Sequence, residues 1–333
     1  MSAPFKQFVG SGPITGWIPR TGSDRERARD PAGYRASETL AQAVNVALAL
    51  ERPLLVTGEP GTGKTELADR IAAELRRGEV LRFDTKSSSV ASELFYRFDT
   101  VRQFGQSQLH AVKGERMPEA YEFLHLQALG KAIVMTRNPS EVQKWLGKAP
   151  HTAPQSSVVL IDELDKAPRD FPNDLLNQIA NWEFDVPELP ACRFQADTDH
   201  TPFILLTSNS EKQLPEAFLR RCVYHHIDFP NEKELREILV SRLGAIDQKS
   251  ASFDSLLTLF GEIRKDVDLM KRPSTSELLD WLRALRRSDL DPSRPWEDQR
   301  KRVEGCLGSL LKTETDLKRW SGKVTNVAFT TTR

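Results

Sequence analysis

The segment Gly58-Glu59-Pro60-Gly61-Thr62-Gly63-Lys64-Thr65 fits the spacing GxxxxGK[ST] and directly follows an apolar run, Pro53-Leu54-Leu55-Val56-Thr57. Glycines at these positions let the backbone curl until its N–H groups face phosphate oxygens, and the helix expected over 66–75 adds its N-terminal partial charge. Lys64 is then expected to reach the β- and γ-phosphates and the Thr65 hydroxyl to ligate Mg²⁺. The expected nucleotide cradle is therefore Gly58, Glu59, Pro60, Gly61, Thr62, Gly63, Lys64, Thr65 and the first helical residue, Glu66.

A second apolar run, Val158-Val159-Leu160-Ile161, ends in Asp162-Glu163. At the carboxyl end of a buried strand Asp162 can hold Mg²⁺ through water, and Glu163 can polarise an attacking water. Alone, such a pair is commonly a solvated turn. Beside a phosphate loop it supplies the two roles that phosphoryl transfer requires.

The elements that must position these residues follow from hydrophobic periodicity. Leu40, Ala43, Val44, Ala47 and Leu48 recur at helical spacing behind a candidate N-cap, Ser37. Apolar runs at 80–83, 157–161, 203–207 and 223–229 are separated by stretches long enough for helices, which implies an α/β fold with a mostly parallel sheet covered on both faces. About seventy residues part the second strand from the third, so an insertion is expected over 87–150. Alternation at Trp182, Phe184 and Val186, then Cys192, Phe194 and Ala196, predicts a β-hairpin over 181–196. Beyond Pro230 the pattern turns helical: Asn231 with Glu234 and Ser274 with Glu277 fit capping boxes, and a small all-α domain is expected over 231–320. Residues 1–33, rich in Gly and Pro, read as an arm or linker, and 321–333 as a tail that frays from Val324 or docks as a short strand. The α/β core thus spans 34–230.

Composition bounds the partners. The 333 residues carry 47 Lys plus Arg against 47 Asp plus Glu, so the whole-chain basic excess that accompanies non-specific nucleic-acid binding is missing. The apolar runs are too short to span a bilayer, and the N-terminus has no secretory core, so a cytoplasmic location is expected. Cys192, Cys222 and Cys306 have neither disulfide-framework nor zinc-cage spacing. His225 and His226 stand together in a strand without ligand spacing.

Together with Phe203-Ile204-Leu205-Leu206-Thr207-Ser208-Asn209 and Pro215-Glu216-Ala217-Phe218-Leu219-Arg220-Arg221-Cys222, the two motifs resemble the AAA+ ATPases, and among them the MoxR-like branch. The resemblance runs from about Tyr34 to Arg287, and takes in Leu94-Phe95-Tyr96-Arg97-Phe98-Asp99, the insertion and the hairpin. It implies an AAA+ core followed by a helical lid. Asn209 would be the sensor-1 residue, orienting the lytic water with Glu163. Arg220 or Arg221, with Arg221 favoured, would be the arginine finger that completes a neighbouring subunit's site. A sensor-2 arginine is expected in the lid, but its place aligns with Ser276, leaving Arg272, Lys271 or no residue in that role. Tyr34 and the 36–39 turn are candidates to meet adenine; the guanine-reading NKxD motif is missing, which favours ATP over GTP.

The resemblance further implies a homo-oligomeric, hexameric ring that hydrolyses ATP with Mg²⁺ and remodels a client, in company with a von Willebrand A-type partner protein. The alternative is a nucleic-acid motor or restriction subunit of the McrB-like kind. Its discriminator is basic side chains on the hairpin or insertion facing the pore; 181–196 holds Arg193 against Glu183, Asp185 and Glu188, which disfavours phosphate tracking, while Lys113, Arg116 and Lys131 in the insertion keep it open. A scaffold that barely hydrolyses would be expected to lack Glu163 or Arg221, and both are present.

Overall fold

The computed structural model describes residues 6–17, 30–113, 118–147, 151–209, 214–243 and 250–326. Arg116, most of the charged run 24–30 and the tail beyond 326 lie outside them. Two compact units divide the described residues. One gathers 6–17, Ala36–Gly58 and Lys64–Ile227; the other gathers the chain from Asp228 onward with Glu59–Gly63 and 30–35.

The first unit is built on a five-stranded, all-parallel sheet. Its strands are β1 (Leu54–Gly58), β2 (Leu81–Asp84), β5 (Val158–Asp162), β8 (Phe203–Ser208) and β9 (Val223–Ile227), in the order β2-β5-β8-β1-β9. Central strands are covered on both faces, which is why β1 and β8 are buried at every residue and β5 at all but Asp162. The outer strands β2 and β9 alternate half-buried with exposed residues, as edges do. Helix α1 (Glu38–Leu50) starts at the expected cap, where Ser37 Oγ accepts from the Leu40 N–H at 3.2 Å. Helix α2 (Lys64–Glu74) follows β1 after the glycine-rich turn. The register of β1 against β8, Leu54↔Leu205 to Thr57↔Ser208, and of β5 against β8, Val158↔Phe203 to Ile161↔Leu206, brings the carboxyl ends of all three to one edge.

The insertion carries more than helices. Strands β3 (Tyr96–Phe98) and β4 (Leu124–Leu126) form an antiparallel pair around helix α3 (Thr100–Lys113), and helices α4 (Ala128–Val134) and α5 (Pro139–Leu146) follow. Three-residue strands are too short for alternation to betray them. The hairpin forms where expected: β6 (Glu183–Asp185) pairs with β7 (Arg193–Gln195), and Phe184 stacks on Phe194 with ring centroids 5.0 Å apart. Between β6 and β7, Leu189 and Val186 fold back into the core. After Phe171–Ile179 (α6), the short helix α7 (Glu216–Leu219) buries Phe218 completely and feeds β9.

Residues 6–17 are more than a linker. Phe8 is fully buried, its N–H donates to the buried Asn45 Oδ1 at 2.8 Å, and its carbonyl accepts from Asn45 Nδ2 at 2.7 Å. Arg70, 1% exposed, donates to the carbonyls of Ser11 and Gly12. Glycines and prolines announce turns, but the buried polar partners lie on distant helices, where no local pattern shows them.

The second unit is helical: α8 (Glu232–Leu243), α9 (Ala251–Lys265), α10 (Thr275–Arg287), α11 (Arg300–Leu310) and α12 (Glu314–Asn326) close over Phe260, Trp281 and Trp296. Both capping boxes are present: Asn231 and Glu234 exchange 3.0 Å bonds, and Ser274 and Glu277 exchange bonds of 2.7 and 3.4 Å at the start of α10. Helix α12 runs through Val324, which is 1% exposed, so fraying does not begin there. Asp266 anchors it by accepting from Lys323 and Arg319, at 2.8 and 2.9 Å. These bonds, Lys323 foremost, hold the Asp266 carboxyl down at about 2. Among the described residues no helix is long and apolar enough to cross a membrane.

Candidate functional site

The glycine-rich turn leaves β1 with Gly58 at φ 150° and continues through Gly61 at 75° and Gly63 at 86°, backbone angles that side chains with a Cβ seldom adopt. Thr62 Oγ1 donates to the Glu59 carbonyl at 2.8 Å and helps close the curl. Lys64, 7% exposed, turns its ammonium back into the turn and donates to the Gly58 carbonyl at 2.8 Å. Burial pushes the Lys64 ammonium below its ordinary value, while Asp162, Asp165, Glu163 and Glu66, in that order, pull it back up. A buried cation following a glycine-rich turn is a group that a polyanion can partner.

Gly61 carries a second constraint. A Cβ there would stand 2.5 Å from Ser274 Oγ and closer still to Ser276 Oγ, at the N-terminus of α10. Gly61→Ala combines that clash with a left-handed backbone costing about 1–2 kcal/mol. We expect ATP affinity, titrated with a fluorescent nucleotide, to fall about tenfold; unchanged affinity would show that the turn does not keep this shape around nucleotide.

Beside the turn, Thr65 Oγ1 donates to Asp162 Oδ2 at 3.0 Å, and the other Asp162 oxygen accepts from Thr207 Oγ1. Glu163 follows at φ 55° and ψ 49°, a left-handed conformation that is strained for a glutamate. Its N–H donates to Thr207 Oγ1 at 3.0 Å, and its carboxylate pairs with Lys166 at 2.5 Å. Asn209 directly follows the adjacent strand β8, half-buried, with its N–H donating to Asp165 Oδ1 at 3.0 Å. Sheet register thus gathers Lys64, Thr65, Asp162, Glu163 and Asn209 at one edge of the first unit.

Thr65 and Asp162 offer one hydroxyl and one carboxylate, both hard oxygen donors. No group of three or more His, Cys, Asp or Glu able to hold a metal occurs among the described residues. That donor set fits Mg²⁺, which keeps several waters and takes its other ligands from substrate phosphates.

A family model described as the ATPase family associated with various cellular activities (AAA) matches residues 54–231, more than half of the chain. The chain belongs to the AAA family. The match opens on the first residue of β1 and closes just past β9, so it covers the sheet and every residue of the gathered edge. Among curated proteins none matches the chain. AAA membership makes this an ATP-binding ATPase of the AAA+ fold: a parallel sheet flanked by helices, with helices in the C-terminal part.

Other expected residues of the AAA chain have surroundings of their own. Arg220, at the end of α7, is tied to Glu216, with Nε 3.1 Å from Oε1. Arg221 is exposed and has no ion-pair partner among the described residues. Arg272 and Lys271 are both exposed, and the Lys271 N–H donates to Asp316. Tyr34 is buried. His226 Nδ1 and Tyr224 Oη each lie 2.9 Å from Thr57 Oγ1, bridging β9 to β1.

Pattern reading misses the contacts of three residues, two in the first unit and one in the second. Thr207 and Asp165 join the strand ends; Thr207 is a polar side chain closing an apolar run, and Asp165 lies in the turn beyond another. Arg264 of α9 is 12% exposed, lies 3.4 Å from the Phe229 ring centroid, and donates to the Pro273 carbonyl and, at 3.0 Å, to Glu59 of the phosphate turn. Read along the helix it is one of two basic residues in the last turn, indistinguishable from a charge that complements the helix dipole.

Proposed function

We propose that this AAA protein hydrolyses ATP in a hexameric, cytoplasmic ring of the MoxR-like branch, and that it uses the cycle to remodel a client protein or complex together with a von Willebrand A-type partner. The observation that carries the catalytic part is the strand-end cluster in which Thr65 meets Asp162 at 3.0 Å with Glu163 and Asn209 alongside.

Backbone N–H groups of the turn bind the phosphates, and Lys64 exchanges its Gly58 carbonyl partner for phosphate oxygens. Thr65 and Asp162 would hold Mg²⁺, which supplies charge neutralisation when bound. Glu163 accepts the proton of a water that Asn209 helps orient; the water oxygen bonds to the γ-phosphorus as the bond to the β-phosphate oxygen breaks. ADP leaves with the electron pair, and the proton on Glu163 passes to solvent. Arg221 of an adjacent subunit offsets the charge that develops on the γ-phosphoryl oxygens, while Arg220 is occupied by Glu216.

Against the nucleic-acid alternative stands the hairpin chemistry. Its base, Arg193, pairs with Glu183 at 2.5 Å, and Glu188 accepts from Tyr96 Oη at 3.0 Å, so no cation is spare there for a phosphate backbone. The test is sizing of Glu163→Gln with and without ATP, together with wild-type ATPase rates with single-stranded DNA or a von Willebrand A-type protein added. A ring assembled by ATP and stimulated by the protein partner is the expected result. More than about tenfold stimulation by DNA alone would replace this reading with the nucleic-acid motor.

A further inference from the structure

Strands β5 and β8 exchange backbone pairing only as far as Ile161↔Leu206. Past that point their tips are joined through side chains. Glu163 N–H donates to Thr207 Oγ1, Thr207 Oγ1 donates to Asp162 Oδ1, and Asn209 N–H donates to Asp165 Oδ1 at 3.0 Å. Asp165 sits in the 3-10 turn Leu164–Lys166, whose direction is set by the left-handed Glu163 before it.

Two features of Asp165 go beyond ordinary turn chemistry. It is 2% exposed, and its Oδ2 is buried with no hydrogen-bond partner among the described residues. A carboxylate with one oxygen unsatisfied is an expensive way to hold a strand end, since a neutral acceptor would serve at lower desolvation cost. Such costs persist where geometry serves function.

We infer that Asp165 is a positioning residue for ATP hydrolysis: its Oδ1 fixes the Asn209 backbone, and with it the Asn209 side chain, opposite Glu163. The Asp165–Asn209 bond replaces the next rung of the β5–β8 ladder, so the water-orienting groups on the two strand tips move as one piece. The inference rests on the proposed pairing of Asn209 with Glu163 around the lytic water.

The experiment is a double-mutant cycle on the full chain, with kcat, nucleotide affinity and Tm measured for each variant. Asp165→Ala should lower kcat at least about twentyfold while ATP affinity changes less than about threefold, a split that general loosening of the fold would not produce. Asp165→Asn keeps an oxygen for the Asn209 N–H and should recover kcat to within about fivefold of wild type. Asp165→Ala combined with Asn209→Ala should be no slower than Asn209→Ala alone, because both remove the same function.

Additive losses, no recovery by Asn, or an equal fall in affinity and kcat would each overturn the inference. Should Asp165→Ala fail to fold, the Asn variant and its combination with Asn209→Ala decide by the same criteria. Asn209→Ala turning over at the wild-type rate would overturn the pairing itself, and the inference with it. A slow Asn209→Ala beside a fast Asp165→Ala would overturn the inference alone.

Discussion

Glu163→Gln is expected to lower ATP turnover at least about a hundredfold, or roughly 2.7 kcal/mol of barrier, while ATP binding stays within about threefold. The substitution removes a proton acceptor and little else. Glutamine matches glutamate in length, and the Glu163 backbone, held at φ 55° by the bond from its N–H to Thr207, keeps its path whatever the side chain carries. The Lys166 pair is exposed enough to lose at small cost, with both side chains 40% or more accessible. Groups that would bind the triphosphate, Lys64 and the turn backbone, keep their own partners: Lys64 donates to Gly58, and Thr65 to Asp162. Turnover therefore separates from binding, and nucleotide-trap measurements beside steady-state rates would show it. A variant that cleaves ATP at more than about a tenth of the wild-type rate would remove Glu163 from the base role and leave only its backbone conformation to explain.

The parts of this site legible in the sequence are those that follow from chain-local geometry. A phosphate turn is a run of consecutive residues, so Gly58 to Thr65 can be read directly, and continuous apolar runs mark β1, β5 and β8 because strands covered on both faces leave no room for polar residues. Strand order places Asp162 and Asn209 together, and it follows from the α/β alternation only with the family's topology as a guide. Contacts that join residues far apart in sequence are a different matter. Thr207 to Asp162 spans a separation of 45 residues, and Arg264 to Glu59 one of 205; no periodicity encodes either. The packing of residues 6–17 is hidden for the same reason, since the buried Asn45 that receives Phe8 looks like any polar residue within an amphipathic helix. In the lid, the expected sensor-2 place falls on Ser276, with Arg272 and Lys271, both exposed, as substitutes, while Arg264 one helix earlier donates to Glu59. Which arginine arrives is decided by helix packing around Phe229 and Phe260, a tertiary fact.

Arg221→Ala should slow ATP cleavage at least about a hundredfold in a homogeneous ring, yet mixing it with Glu163→Gln should restore measurable turnover. Arg221 is exposed just past the short helix α7, whose Phe218 is fully buried three residues before it. Its neighbour Arg220 pairs with Glu216 within the same helix turn, and that pairing makes the two arginines unequal. An exposed cation without an ion-pair partner among the described residues gains little from them and is available to an anion on another molecule. In a mixed ring, some seams join a Glu163-bearing, Arg221-deficient copy to a neighbour that retains Arg221 but carries the Gln substitution. Such a seam has an intact base on one side and an intact arginine on the other. About a quarter of seams should be of this kind at equal mixing if copies assemble at random, so recovery should peak near equal proportions and vanish at either extreme. Arg220→Ala, by contrast, should leave turnover within about threefold of wild type, since it breaks only an exposed intrahelical pair. If the mixture stays at the rate of its slower member while sizing shows mixed rings, Arg221 acts within its own subunit and the shared seam is wrong.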